Sequence, residues 1–339
     1  SVLFGLVTLP LMLGSETVFG LLGQAPSTSA LGADYLIIAG WGILPALMVM
    51  VLKSYLAALE RTAVVLWITL AAVAMNIVVN YLLIFGNLGF PELGVRGAAI
   101  ASLAVHIGSL LALMLYVRLV APEHALFTRL WRPDWDALTR VFRLGWPIGI
   151  TNLAEVGLFA AASVMMGWLG TLPLAAHGIA LQVTSVVFMV HVGLSNAATV
   201  RAGQAFGRGD GQGLRDGARV VLGLSGAVAL VTMTLFLALP DPMIGLFLDP
   251  GDPDRAAVIE IGRGLLAAAA LFQLVDAAQV MALGLLRGVQ DTRVPMVIAA
   301  LSYWAVGVPV SYVLGFTLGY GGAGIWLGLA AGLALAAVF

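Results

Sequence analysis

Most of this 339-residue chain consists of ten predominantly apolar stretches. Each stretch, as an α-helix, is about long enough to cross a lipid bilayer. Crossing about 30 Å of hydrocarbon takes roughly 20 helical residues. Because unpaired backbone groups are costly in lipid, a chain that is 61% hydrophobic and 10% charged is predicted to be an all-α polytopic membrane protein. The predicted spans are 1–22, 33–57, 62–86, 93–119, 143–170, 174–200, 216–240, 256–286, 292–316 and 318–339.

The basic residues are unevenly divided between the two sides of the membrane that alternating spans define. Thirteen fall on one side and three on the other. Since cytoplasmic loops are enriched in Lys and Arg, the first side is predicted to be cytoplasmic, and both ends of the sequence lie there. The thirteen are Lys53, Arg61, Arg118, Arg129, Arg132, Arg140, Arg143, Arg201, Arg208, Arg215, Arg219, Arg287 and Arg293; the three are Arg96, Arg255 and Arg263.

The chain also repeats itself. LPLMLGSETVFGLLGQ (9–24), LAALERT (56–62) and LGVRGAAIA (93–101) resemble LPDPMIGLFLD, GLLRGVQDT and GYGGAGIWLG at a shift of roughly 230 residues. That shift covers six spans, which predicts two six-helix lobes related by a parallel pseudo-two-fold repeat. Since the first lobe shows only four spans, we expect two further helices upstream and twelve in all. The predicted lobes are 1–119 and 143–339.

Residues 120–142 separate the two predicted lobes and form the most charged stretch of the chain. Apolar residues recur there at helical spacing, which predicts an amphipathic helix on the cytoplasmic membrane surface. A solvated linker with incidental aromatic residues is the alternative. The apolar residues are Leu130, Trp131, Trp135, Leu138 and Phe142.

Two carboxylates interrupt the apolar spans near the middle of the membrane. Glu155 follows Arg143 by twelve residues, and Asp276 precedes Arg287 by eleven. At 1.5 Å per helical residue, both acids lie close to the midplane. Because lipid-facing charge there is costly, both are predicted to face the bundle interior or a water-filled cavity.

Polar side chains at helical spacing accompany the acids and mark other spans. Residues three or four apart share one face of a helix, so these side chains are predicted to support a polar cavity. They are Thr151 and Asn152 beside Glu155, Gln273 and Gln279 beside Asp276, Asn76 with Asn80 on the third span, and Gln182 with Ser185 on the sixth.

A carboxyl group in an apolar setting favours its neutral form, so it can bind and release a proton, and with neighbouring oxygens it can instead hold Na⁺. Either use couples the site to an ion gradient, and the empty site would attract a cationic substrate. A protonated acid that only links helices by hydrogen bonds is the structural alternative. The sequence has no nucleotide-binding or hydrolase motif, and without cysteine it has no disulfide or thiolate metal site.

Four segments together resemble the multidrug and toxic compound extrusion (MATE) family, in its NorM branch. They are RLGWPIGITNLAEVGLF around Glu155, LVDAAQVMALGLLRGVQDTRVP around Asp276, NIVVNYLLIFGNLGFPELGVRGAAIA at 76–101 and AATVRAGQAFGRGD at 197–210. The resemblance implies twelve helices in two lobes, alternating access, and export of cationic amphipathic compounds in exchange for H⁺ or Na⁺. It implies a bacterial inner-membrane monomer that is not an enzyme and needs neither cofactor nor nucleic acid.

The resemblance also assigns residues. Glu155 and Asp276 match the two carboxylates of the C-terminal lobe's cation site, which would hold the metal ion if the coupling ion is Na⁺. Asn80 matches a polar position of the first lobe. Phe272 stands where this branch often has a tyrosine that contributes to a sodium site, which leaves H⁺ open as the coupling ion.

Two other functions fit the composition. A flippase or exporter of lipid-linked or anionic cargo from the same superfamily would need arginines in its central cavity, whereas all sixteen basic residues are predicted at or near the membrane interfaces. A polytopic membrane enzyme would need a nucleophile or a metal site at an interface, and no spacing predicts one.

Overall fold

The computed structural model describes residues 2–21, 26–122, 126 and 134–339. These residues are almost entirely helical, and they contain nine helical stretches long and apolar enough to cross a membrane. The predicted all-α polytopic fold is therefore confirmed. The chain divides into two compact units, Ser1–Arg132 and Pro133–Phe339, and the division falls inside the predicted linker. The lobe boundaries at 119 and 143 and the repeat stay predictions.

The described part of unit 1 contains six α-helices, of which α6 packs against α3, α4 and α5. Its buried cluster is aliphatic and includes Leu56 and Leu113. The helices are α1 (Val2–Leu13), α2 (Ser15–Leu21), α3 (Pro26–Ala39), α4 (Ile43–Ala58), α5 (Thr62–Leu83) and α6 (Gly94–Val120). Through a short 3₁₀ turn, Gly40–Gly42, α3 and α4 form the second predicted span.

The first predicted span, 1–22, is interrupted at Gly14, where α1 ends and α2 begins. The two pieces have 12 and 7 residues, and neither is long enough to cross a membrane by itself, which is why the described residues give nine spans where ten were predicted. Pro10 lies inside α1 and supplies no amide hydrogen, and glycine adds backbone freedom one turn later. The apolar run was therefore predicted correctly, and its interruption was not.

The predicted surface helix lies partly outside the described residues, including Leu130 and Trp131. Its second half is instead the beginning of α7 (Trp135–Leu169), where Trp135, Leu138 and Phe142 have exposed side chains. Asp134 caps this helix, because its carboxylate accepts the amide hydrogen of Ala137 at 2.9 Å. At 35 residues, α7 is about 52 Å long, so it exceeds the hydrocarbon thickness.

Unit 2 is built around α11, which packs against α8, α9 and α14. Small residues such as Ala269 and Gly284 keep these helices close, and Leu265, Leu266 and Trp326 fill the core. After α7, the helices are α8 (Thr171–Gly207), α9 (Gly211–Ala238), α10 (Pro240–Gly245), α11 (Arg255–Gly288), α12 (Arg293–Leu301), α13 (Val308–Tyr312) and α14 (Gly321–Val338). A π-helical segment, Ser302–Gly307, joins α12 to α13, and a second one, Val313–Thr317, follows α13 and completes the same span.

Candidate functional site

A cavity of about 590 Å³ lies within unit 2, between α7, α8 and α11. Small-molecule sites occupy about 300–1,000 Å³. Most lining side chains are apolar, and three are charged. The lining residues are Asn152, Glu155, Val156 and Phe159 of α7; Leu181, Thr184, Ser185, Phe188, Met189, Val192, Ser195 and Asn196 of α8; and Phe272, Gln273, Asp276, Val280, Leu283 and Arg287 of α11. Both sequence-predicted acids thus line one cavity.

Asp276 is the most isolated charge of the cavity wall. It is 1% exposed, and among the residues that the structure describes neither of its carboxylate oxygens has a hydrogen-bond partner. Glu155 is half-buried on the facing helix and close enough to interact with the charge of Asp276. Two like charges in an apolar wall repel one another, so the pair favours states in which a proton or a cation neutralises one of them.

Two amides flank Asp276 on α11 and have different surroundings. Gln273 is buried, lines the cavity and donates from Nε2 to the Thr184 carbonyl oxygen at 3.3 Å, while its Oε1 has no partner. Gln279 is also buried, but it does not line the cavity and donates to the Tyr303 hydroxyl behind the wall. An oxygen ligand is therefore available beside Asp276 from Gln273.

Arg287 was predicted, like the other basic residues, at or near a membrane interface, and was not assigned to the cavity wall. It lines the cavity, is half-buried, and donates from Nη2 to Asn152 Oδ1 at 3.1 Å. Its charge also interacts with Glu155. The sequence holds the signal that was missed: Arg287 follows Asp276 by eleven residues, which is about three helical turns and returns to the same face.

Phe272 forms an aromatic part of the wall. Its ring meets Phe159 edge-on at a centroid distance of 5.8 Å and Trp326 at 5.4 Å. Edge-to-face packing of this kind orders aromatic side chains beyond what burial alone provides. At position 272 the wall is thus an ordered aromatic ring, where a tyrosine would add an oxygen.

The buried histidine nearest these rings has both ring nitrogens in use. Trp326 donates from Nε1 to His177 Nδ1 at 3.1 Å, so the other nitrogen carries the hydrogen and donates to Ser163 Oγ at 3.1 Å. Ser163 in turn donates to the Phe159 carbonyl oxygen at 3.0 Å. This neutral histidine links α7, α8 and α14, and it stands apart from the two acids.

Of the remaining predicted polar residues, only Ser185 lines this cavity. Thr151 is buried and donates to the Pro147 carbonyl oxygen at 2.9 Å, and Gln182 is exposed, whereas Ser185 on the same helix lines the wall. Asn76 and Asn80 belong to α5 in unit 1, where Asn80 Nδ2 donates to Asn76 Oδ1 at 3.0 Å. Their predicted role in a substrate pathway stays a prediction.

Two hydroxyl groups of α8 donate hydrogen bonds to backbone carbonyl oxygens of α11, on the C-terminal side of Asp276. Ser195 donates to the Val280 carbonyl oxygen and Thr199 to that of Gly284, both at 2.8 Å. Gly284 and Gly288 lack side chains where α8 comes closest. This contact was not predicted, although the spacing Gly-x-x-x-Gly at 284–288 is typical of closely packed transmembrane helices.

Comparisons with known proteins address the identity of the chain. The family model described as MatE matches residues 1–82 and 147–313. The "Probable multidrug resistance protein NorM" of Rhizobium meliloti (strain 1021) is 45% identical over 338 residues, which is 99% of this chain and 72% of that protein. The same description applies to a relative from Agrobacterium fabrum, 43% identical over 100% of this chain and 73% of its own length.

Solved structures agree on the fold. The eukaryotic MATE transporter AtDTX14 superposes with a TM-score of 0.84 at 18% identity, covering 99% of this chain and 73% of its own. A mutant of the Vibrio cholerae MATE transporter VcmN gives 0.83 at 18% identity over 99% and 73% of the two chains. A MOP superfamily transporter from Pyrococcus furiosus, described as having a binding pocket of reverse polarity, gives 0.86 at 18% identity over 99% and 74% of the two chains.

At such identity the structural matches establish the fold alone, whereas the family model and the relatives above 40% identity establish descent. The resemblance predicted from the motifs around Glu155 and Asp276 is thereby confirmed. The chain belongs to the MatE family of multidrug efflux transporters and is an integral membrane protein with several membrane-spanning helices.

Proposed function

We propose that this transporter exports cationic amphipathic compounds in exchange for H⁺ or Na⁺ by alternating access, with Glu155 and Asp276 as the coupling acids. The relatives named as probable multidrug resistance proteins support this class of cargo. The proposal also places the protein in a bacterial inner membrane as a monomer, with the loops that carry thirteen of the sixteen basic residues in the cytoplasm.

The observation that carries the proposal is the solvation of Asp276. A carboxylate that is 1% exposed, with two oxygens lacking partners, is costly as a permanent anion. A proton on one oxygen, or a cation between Asp276 and its neighbours, removes that cost. The empty charged site is therefore the high-energy state, and binding of either ion stabilises it.

The apolar lining supports an amphipathic organic cation as cargo. Phe159, Phe188 and Phe272 present aromatic surface, and Met189 adds a polarisable and adaptable side chain. Aromatic rings attract cations through their π-faces, and the acids add direct charge attraction. A compound with a positive charge and an aromatic or alkyl body satisfies both parts of the wall.

Exchange follows from competition for the same negative charge. Coupling ion and cargo are both positive, so binding of one near Glu155 and Asp276 weakens binding of the other. On the outside, the coupling ion displaces cargo, and on the inside cargo displaces the ion. Each bound state neutralises the repulsion between the acids, which favours the conformational change that exposes the cavity to the other side.

The cavity offers ligands to either ion. For Na⁺, which takes oxygen ligands, the free Oε1 of Gln273 joins the Asp276 carboxylate, whereas Phe272 supplies none. For H⁺, a single carboxylate oxygen suffices. The experiment must therefore separate the two gradients.

Efflux of ethidium tests the proposal in cells that produce the protein with whatever coding sequence precedes and follows these residues. We expect efflux driven by a H⁺ or a Na⁺ gradient, and a decrease of about tenfold or more in Glu155→Gln, because the amide carries no charge to exchange. Glu260→Gln, an exposed acid on α11, is the matched control and should leave efflux unchanged. Absence of efflux from well-expressed wild type under both gradients would reject cationic drug cargo.

A second candidate function follows from Arg287. A guanidinium in the cavity is the group that anionic or lipid-linked cargo would need, so export of such cargo is the alternative. Efflux of an anionic dye that is lost in Arg287→Gln, without efflux of ethidium by wild type, would favour it. Because the cavity wall has two acidic side chains and one arginine, its charge favours cationic cargo over anionic cargo.

A further inference from the structure

Arg287 is the one positive charge on the wall of the described cavity, and it is held by a neutral partner. Its Nη2 donates to Asn152 Oδ1 at 3.1 Å, and no ion pair to Glu155 is present between these described residues. The guanidinium has several donors and a long side chain, so it reaches more than one acceptor without movement of the backbone.

Two acceptors for this guanidinium lie one turn apart on α7. Asn152 and Glu155 are three residues apart, about 4.5 Å along the helix axis, on nearly the same face. Both line the cavity, and the charges of Arg287 and Glu155 already interact. The exchange of the amide for the acid thus calls for movement of the Arg287 side chain along one turn of α7.

The choice between the two acceptors depends on the charge at Glu155. When the acid is empty, attraction between opposite charges in the low-dielectric wall favours Arg287 on Glu155. When a proton, Na⁺ or an organic cation neutralises the acid, that attraction is lost and a bound cation repels the guanidinium. Asn152 then keeps its donors satisfied.

We propose that Arg287 is a tethered counter-ion of the coupling site, which competes with coupling ion and cargo for Glu155 and rests on Asn152 when the acid is occupied. The proposal rests on the proposed function. With one arginine against two acids, the empty cavity keeps one net negative charge, so a single monovalent cation neutralises it. Competition also weakens cation binding and so speeds release, which an exporter requires at each turnover.

The other ionisable groups near Glu155 lie on α11 and on the π-helical segment Ser302–Gly307. Asp276 and Tyr303 both interact with the charge of Glu155. From α8 the wall receives only hydroxyl, amide and apolar groups, because His191 is buried against Ser225 of α9, with its Nδ1 at 2.9 Å from the serine oxygen. Asp276 repels a cation-free Glu155, so Arg287 is the group that offsets this repulsion.

Two substitutions test the competition, because they are expected to act in opposite directions. Binding of tetraphenylphosphonium, a permanent cation without titratable groups, is measured on the purified protein at fixed pH and ionic strength. Arg287→Gln should bind it about fivefold more tightly, because the competing charge is gone. Asn152→Ala should bind it at least about twofold more weakly, since Arg287 loses its alternative acceptor and stays paired with Glu155.

A double variant and two charge controls complete the measurement. Asn152→Ala combined with Arg287→Gln should bind like Arg287→Gln alone, because Asn152 acts only through the arginine. Arg287→Lys keeps the charge but loses the planar set of donors, so its affinity should fall between those of Arg287→Gln and wild type. Arg293→Gln removes the same charge from an exposed position of α12 and should change nothing. Equal or weaker binding by Arg287→Gln, or weakening by both single changes, would overturn the proposal.

Covalent labelling of Glu155 provides a readout that does not depend on the cargo. Dicyclohexylcarbodiimide reacts with protonated carboxyl groups in apolar surroundings, and mass spectrometry locates the adduct. Arg287→Gln should label faster at Glu155 than wild type, and Asn152→Ala more slowly, because the guanidinium stabilises the charged acid. If wild type binds no organic cation but labelling follows this order, the cargo assignment fails and the counter-ion stands; labelling that is the same in all three rejects the counter-ion.

Discussion

Replacing Asp276 with asparagine is expected to abolish gradient-driven efflux of cationic dyes, by about a hundredfold or more, in a protein that is at least as stable as wild type. The amide is nearly the same size, so the wall keeps its shape, but it neither binds a proton nor carries a charge. Because both carboxylate oxygens of Asp276 are buried without partners, removing the charge removes a cost of folding. Dye efflux and the thermal unfolding midpoint of the purified protein measure the two effects.

Asp241→Asn is the matched control, because it changes an exposed aspartate of the same unit. Hydrogen bonds from the Arg263 guanidinium hold the pKa of Asp241 below its usual range. Stability from this pair is therefore fully present above the ordinary aspartate pKa and is lost as the pH falls through the lowered value. Asp241→Asn should lower the unfolding midpoint slightly at neutral pH, not at strongly acid pH, and should leave efflux intact. Normal efflux in Asp276→Asn would remove Asp276 from the coupling site.

The fold was largely predictable, because in a membrane the length of an apolar run nearly determines a helix. Run length identified the spans from 33 to 339, and the basic residues supported their alternation. The interruption at Gly14 was not predicted, since hydropathy does not register a missing amide hydrogen at Pro10. Nor was the extension of α7 back to Trp135, which the cap at Asp134 begins and which apolar content alone does not indicate.

The site residues were predictable from the sequence where a charged side chain lies in an otherwise apolar span. Asp276 and Glu155 stand out because charge is rare in apolar spans. Gln182 does not line the cavity, because α8 is apolar on most sides and its cavity face is set by contacts with α7 and α11 that no local pattern records. Arg287 lies near the end of a span, where an arginine normally extends to the interface, and here its long side chain turns inward to Asn152 instead.

The geometry of the cavity depends on how closely α8 approaches α11. This distance can be tested by adding a single side-chain carbon at Gly284. A Cβ at position 284 would overlap Ser195 Oγ and lie 2.8 Å from the Ser195 carbonyl oxygen. Gly284→Ala is therefore expected to lower the free energy of unfolding by about 1–3 kcal/mol, although alanine is the better helix former. Unfolding of the purified protein in mixed micelles, followed by circular dichroism or pulse proteolysis, measures the change.

Gly264→Ala supplies the matched control on the same helix, because a Cβ there has no atom within 4 Å and should be neutral or slightly stabilising. Adding Ser195→Ala to Gly284→Ala should restore only part of the loss, since it removes the clash with Oγ and leaves the carbonyl oxygen in place. The hydrogen bond from Ser195 to Val280 would be lost as well. Equal stability of Gly284→Ala and Gly264→Ala would mean that α8 and α11 do not pack this closely, and the single wall that Thr184, Ser195 and Asp276 share would no longer follow.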